Sequence, residues 1–351
     1  MEEQKRHERA PERIIRRIVD GNAAGQSVRQ FLLRELGLRP AQISRLKFST
    51  PGIRVNGEKA YVNRILEAGD LLEVGLTLQK DLRDTEGAKP PKIWEAPPRE
   101  AQLPPLEILY EDEDLLIVNK PAGIVCHPSP GHYSDTLANQ AAVYLGAAGT
   151  ALDIRVTGRL DRETSGIVTF ARNAETAAAL QRQRGSGTLV KEYLALTEGV
   201  PGAGAASGAA SDLASGSVPV TGVIDLPLRR EYPGSFKMIA APDGKAARTF
   251  YKVLRRSSTE DGAICLLRCT IEHGRTHQIR VHLSSMGCPI VGDRLYGSNR
   301  EVPLPCGEGR RDQGRYPGIC LHARRLRLLQ PFTGETIEIE APLPPWLPET
   351  T

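Results

Sequence analysis

Three observations predict an α+β protein: one large, mixed and largely antiparallel sheet, preceded by a small N-terminal α/β module. Short apolar runs recur from Leu106 to near the C-terminal end, with few long helical patterns among them. The strand–helix–strand alternation that a parallel sheet requires is not repeated. A charged stretch holding six prolines, within 77–105, separates the strand-rich part from a compact opening unit. With 351 residues, two domains of roughly 150 residues each are the natural division.

Residues 1–24 are expected to be a charged N-terminal extension without the apolar core of an export signal. The first module is assigned to 25–76. In "SVRQFLLRELG" Ser27 can cap a helix whose apolar stripe is Val28, Phe31, Leu32 and Leu36, and Gly37 stops it. "RPAQISRLKFS" predicts a second helix with Arg45 and Lys47 on its outer face. "PGIRVNGEKA" predicts a hairpin turning at Asn56-Gly57, and "EAGDLLEVGL" a further strand.

The linker is 77–105 and the second domain 106–345. "LEILYEDEDLLIVNKPAGIVCHP" offers two strands joined by an acidic turn and ended at Pro121-Ala122-Gly123. The clearest helix is 174–183, capped by Asn173. Residues 201–217, rich in Gly, Ala and Ser, are expected to be a flexible insertion, since strand signals resume at "VTGVIDLPL" and run to "ETIEIEAPL".

Composition narrows the function. Hydrophobic residues at 40% and charged residues at 25% are ordinary for a soluble domain. No apolar run approaches the ~18 residues of a membrane helix, so a cytoplasmic protein without membrane partners is expected. The six cysteines are expected as reduced thiols. The formal charge is +4, but residues 1–64 carry 14 Lys/Arg against 7 Asp/Glu, and 268–327 carry 11 Arg, no Lys and 5 acids. Two basic regions in a nearly balanced chain suggest a polyanionic partner, and arginine favours planar, bidentate phosphate or base contacts.

Cys265, Cys269, His273 and His277 stand four residues apart, as a helical metal site would require. "AICLLRCTIE" alternates like a strand, however, and Gly274 interrupts the run. No metal is expected. Two other clusters stand out. "GRLDRETSG" packs Arg159, Asp161, Arg162 and Glu163 before an apolar strand. "HGRTHQIRVH" read as a strand would direct Arg275 and His277 to one face and Gln278 and Arg280 to the other. Tyr193 lies in the short strand "KEYLAL".

The order of "YEDEDLLIVNKPAGIVCHP", "GRLDRETSGIVTFARN", "KEYLAL", "HGRTHQIRVHLSSMGCPIVGDRLYG" and "LHARRLRLLQPFTGETIEIEAPLP" resembles the RluA-type pseudouridine synthases. The opening module resembles, more loosely, the S-four-type RNA-binding module. The resemblance implies an isomerase that breaks uridine's base from its ribose and rejoins it through carbon five, in structured RNA and foremost large-subunit ribosomal RNA. Asp161 maps to the nucleophile, and Tyr193 to the residue that stacks on the base and is implicated in removing the carbon-five proton. Arg275 maps to the arginine pairing with the carboxylate, and Arg159 to the residue replacing the flipped base. Further RNA contacts are expected from Lys120, His277, Gln278 and Arg280, and from Arg45 and Lys47 of the module. A nucleophilic carboxylate must be ionised, a form that a nearby cation favours. No cofactor is expected, and a monomer is. Gly158 departs from the family, where many members have His. The rival readings are a catalytically silent RNA-binding protein of the same fold and a base-removing hydrolase.

Overall fold

The computed structural model describes residues 12–38, 40–46, 52–77, 103–146, 154–199, 201, 221–259, 262–300 and 318–347. Lys47, nearly all of the linker and the Gly/Ala/Ser insertion beyond Pro201 lie outside them, as does the side chain of Arg45.

The N-terminal unit runs β1 (Glu12–Ile18), α1 (Val28–Arg34), α2 (Pro40–Leu46), β2 (Ile53–Val55), β3 (Glu58–Lys59) and β4 (Leu71–Thr77). Its sheet has the order β1-β4-β2-β3. The hairpin turns at Asn56 and Gly57, both with positive φ, as its Asn-Gly pair demands. Ser27 caps α1 in a capping box with Gln30. The sheet begins at Glu12, inside the segment expected to be an extension. Arginines within "ERIIRRI" obscure the strand, yet it pairs with β4 along its whole length.

The second unit runs β5 (Glu107–Glu111), β6 (Leu115–Lys120), α3 (Leu137–Tyr144), β7 (Arg155–Thr157), β8 (Ser165–Ala171), α4 (Ala174–Gly185) and β9 (Val190–Glu198). It continues with β10 (Thr221–Asp225), β11 (Leu228–Arg230), β12 (Met238–Ala240), β13 (Arg248–Thr259) and β14 (Gly262–Ile271). It closes with α5 (Gln278–Ser285), β15 (Leu321–Leu329) and β16 (Thr336–Glu340). Ten strands form one sheet, ordered β10-β13-β14-β9-β15-β8-β6-β5, with β16 on β15 and β7 on β8. All its pairings are antiparallel except β8 with β15, so the sheet is mixed and largely antiparallel as expected.

That parallel contact explains the glycine ending "GRLDRETSG". Gly166 sits opposite Ala323, and a Cβ on it would lie 2.3 Å from the Ala323 carbonyl oxygen. Two backbones meet there at a distance that only glycine permits. Buried β8, with Ile167, Val168 and Phe170, anchors the main core.

The two units share a packing residue. Phe332, from the turn between β15 and β16, is 2% exposed and belongs to the core of the N-terminal unit. Its burial contributes about 1.5–3 kcal/mol. Beside it Arg17 Nη1 donates to the Thr333 carbonyl at 2.5 Å.

Candidate active site

Asp161 occupies the loop between β7 and β8, and the preceding β6 turn holds that loop in place. Lys120, fully buried, donates to the carbonyls of Pro121 at 2.9 Å, Ile124 at 2.9 Å and Arg162 at 3.0 Å. Arg162 Nε donates to the Gly123 carbonyl at 3.1 Å, and the Leu160 N–H donates to Cys126 Sγ at 3.4 Å. Lys120 is therefore not the RNA contact expected of it: its three protons go to backbone carbonyls inside the core. Burial lowers its ammonium to about 8, against the raising charges of Cys126, Asp161 and Glu163.

Arg280 is the centre of the charged cluster. Its Nε and Nη2 donate to Asp293 at 2.7 and 2.9 Å, a bidentate pair with both side chains buried. Its Nη1 faces Asp161 Oδ2 at 3.3 Å and Glu163 Oε2 at 3.7 Å. Burial works against this guanidinium, but the bonds and charge of Asp293, then of Asp161 and Glu163, raise it above its usual value. The partner of Asp161 is thus Arg280, not Arg275. Arg275 Nε instead donates to the Ala246 carbonyl at 3.0 Å.

The pairing of Arg275 was implied by the family resemblance; local structure brings Arg280 to Asp161 instead. Residues 272–277 turn rather than extend, His277 takes a left-handed conformation (φ 54°), and α5 starts at Gln278. A strand would have placed Arg280 opposite His277; the first turn of a helix carries it inward. Gln278, 3% exposed, is also redirected from the expected RNA contact. It accepts from the Arg275 N–H at 2.9 Å and donates to the Arg248 carbonyl at 2.8 Å, fixing the turn.

Two cavities meet at Asp161. One, of about 550 Å³, is lined by Tyr193, Arg159, Arg184, Arg230, Arg275 and Arg280, with Asp161 the one acid among the described residues lining it. The other, of about 840 Å³, is lined by Asp161, Glu163, Asp293 and Arg294 and reaches the exposed Phe236. Val125, Ser129, His277, Arg280 and Asp161 belong to both. Tyr193, on β9, is 6% exposed. Burial pushes its phenol well above its usual value, with Arg184 opposing and Asp161 adding.

His277 stands between the cavities with Nδ1 2.8 Å from Tyr296 Oη and its ring edge-on to Tyr296, centroids 5.6 Å apart. Burial lowers the imidazole, so the neutral ring is favoured. Arg280 lies over the same tyrosine ring, 5.2 Å from its centroid. Asp293 and Tyr296 had no expected role, although "GDRLYG" was part of the motif. Their signal was an acid and an aromatic following the arginine-rich turn. Cys265 and Cys269 lie buried on β14, in the strand that their alternation predicted.

Asp161, in the loop before β8, and the buried phenol of Tyr193 on β9 thus face one arginine-lined cavity. The family model described as RNA pseudouridylate synthase matches residues 114–285, which hold Asp161, Tyr193 and Arg280. The chain is 33% identical to the Bacillus subtilis (strain 168) uncharacterized RNA pseudouridine synthase YhcT over 83% of its own length and 82% of that protein's. It is 32% identical to ribosomal large subunit pseudouridine synthase D of Xanthomonas campestris pv. campestris, over 83% and 77% respectively. The synonymous protein of Nitrosomonas europaea is 35% identical over 70% of this chain, a match spanning 64% of that relative's length. The chain belongs to the RNA pseudouridine synthase family, in its RluA-type branch.

Proposed function

We propose that this protein converts specific uridines of large-subunit ribosomal RNA to pseudouridine, with Asp161 as the nucleophile. The observation that carries this reading is that Asp161 and Tyr193 line one cavity while Arg280 holds the carboxylate. The ribosomal substrate follows the names of the relatives.

The chemistry needs a uridine drawn out of its helix, at a cost of roughly a few kcal/mol of stacking. Arg159, exposed at the cavity rim, supplies a planar cation where the base was. Asp161 forms a covalent bond to the target nucleotide as the N1–C1′ bond breaks. The uracil turns within the cavity and the C5–C1′ bond forms, releasing the carboxylate. The proton on C5 leaves and N1 gains one, so the sum is an isomerisation. Tyr193 is held neutral by its burial. It packs on the base and passes the C5 proton on only with an acceptor beside it, and the freed Asp161 carboxylate is that acceptor.

The N-terminal unit extends the RNA contact surface, its exposed Arg29, Arg34 and Arg54 facing solvent. The enzyme works as a cytoplasmic monomer. Mapping pseudouridine across total RNA with and without the gene tests activity and substrate together. Loss of one or a few ribosomal sites is expected. An unchanged map, or free uracil released from RNA, overturns the reading.

A further inference from the structure

Arg184 ends α4 half-buried, and its guanidinium lies in the gap between the two active-site segments. A Cβ on Gly158, which opens "GRLDRETSG", would stand 2.4 Å from its Nη2. A Cβ on Gly274, which precedes Arg275, would stand 3.7 Å from its Nη1. Both glycines have positive φ, 74° and 62°. The guanidinium thus fills the space that a side chain at 158 would take, the position where a His is common among the proteins the sequence resembles.

The same side chain lines the cavity that holds Asp161 and Tyr193. Among the described residues no carboxylate pairs with it, unlike Arg280, which has three. Lys191 lies on the same side of Gly158 and feels the charge of Arg184. A Cβ on Gly158 would also be 3.6 Å from Lys191 Nζ, which donates to the Ile167 and Gly158 carbonyls. Burial, with Arg184 adding, lowers that ammonium to about 7. A half-buried guanidinium beside a second cation is unfavourable until an anion arrives. The anion that an RNA substrate carries past every uridine is its phosphodiester.

We propose that Arg184 is a substrate-binding residue whose guanidinium, admitted by the missing side chain at Gly158, takes a backbone phosphate of the RNA strand carrying the target uridine. This rests on the reading of the cavity as the target-nucleotide site. Arg184 supplies a charged contact whose planar fork can meet a phosphate bidentately.

The test measures binding of an unmodified transcript of large-subunit ribosomal RNA against salt for wild type, R184Q, R184K and G158A. One lost phosphate contact should weaken binding roughly tenfold at low salt and reduce the log–log salt slope by about 0.7–0.9. R184K should restore the slope, because it restores the charge. G158A should reproduce the loss by displacing the guanidinium, and should add nothing in the R184Q background. Thermal unfolding of each variant separates a folding defect from a lost contact. An R184Q slope equal to wild type overturns the proposal, as does additivity of the two substitutions. Pseudouridine formation is scored on the same samples. If wild type makes none while R184Q still loses slope, the activity reading fails and the phosphate contact stands.

Discussion

Arg280 reaches Asp161 with one nitrogen, 3.3 Å from the carboxylate, while Asp293 holds its other two at 2.7 and 2.9 Å. The bidentate pair fixes the plane of the guanidinium, and that plane decides where the remaining N–H points. Asp161 is thereby positioned, through Arg280, by an acid outside the lining of the cavity that holds Tyr193.

Arg280→Met should therefore be costly in two ways. It strands Asp293, 0% exposed as a side chain, and breaking such a pair destabilises by about 3–5 kcal/mol. Arg280→Lys keeps a charge but loses the fork. It should retain the fold while losing about tenfold or more in kcat, with KM little changed. Chemical unfolding and steady-state kinetics on the two variants distinguish the effects. A Lys variant with wild-type kcat would show that orientation of Asp161 does not matter.

Asp161→Asn should abolish turnover and leave RNA affinity within about tenfold, since most affinity comes from phosphate contacts elsewhere. Filter binding and pseudouridine quantification on the same preparation check it. Near-wild-type turnover would remove Asp161 from the nucleophile's role.

Phe236 is 86% exposed and Tyr232 61%, both on the turn joining β11 to β12, and Phe236 borders the larger cavity. Exposed aromatics at the mouth of a cleft that takes single-stranded nucleic acid serve as platforms for unstacked bases. Phe236→Ala should weaken RNA binding by about 1–3 kcal/mol and change stability by less than about 0.5 kcal/mol. A folding defect of the same size as the binding loss would refute the platform.

His322 gives a pH prediction. It is 2% exposed, with Nδ1 2.9 Å from Ser165 Oγ beside the parallel contact of β8 and β15. Burial, aided by Arg324, lowers its imidazole to about 4. The unfolded chain binds this proton near pH ~6.5, so between ~6.5 and ~4 it holds more protons than the folded state. Stability is therefore lost as pH falls through that window, by about 3 kcal/mol in full. Thermal unfolding at pH 7 and 4.5 should show His322→Leu losing less stability than wild type. Equal losses would place the sensitivity elsewhere.

The sequence made the sheet legible because alternation survives wherever one face is buried, as in Tyr193 and Ala195 of β9. It hid β1, where arginines share the strand with Ile15 and Ile18. It misread 273–282, where a left-handed His277 turns an apparent strand into a helix. The helix that starts there carries Arg280 to Asp161 and draws Gln278 inward, whereas the pairing of Arg275 comes from the family resemblance and not from reading the strand. Lys120 was misplaced for another reason: side-chain type does not reveal that a lysine's protons meet three carbonyls. Asp161 was legible from its setting in a motif, Asp293 was not, because an acid after two turns is common.

Phe332 joins the core of the N-terminal unit to the sheet whose strand β8 follows Asp161. On the proposed reading, in which both units contact RNA, that seam makes the enzyme a caliper: an RNA whose landmarks lie at the wrong separation cannot present its uridine while seated on both jaws. Selectivity would then reside partly in a length, set at a phenylalanine that lines neither catalytic cavity.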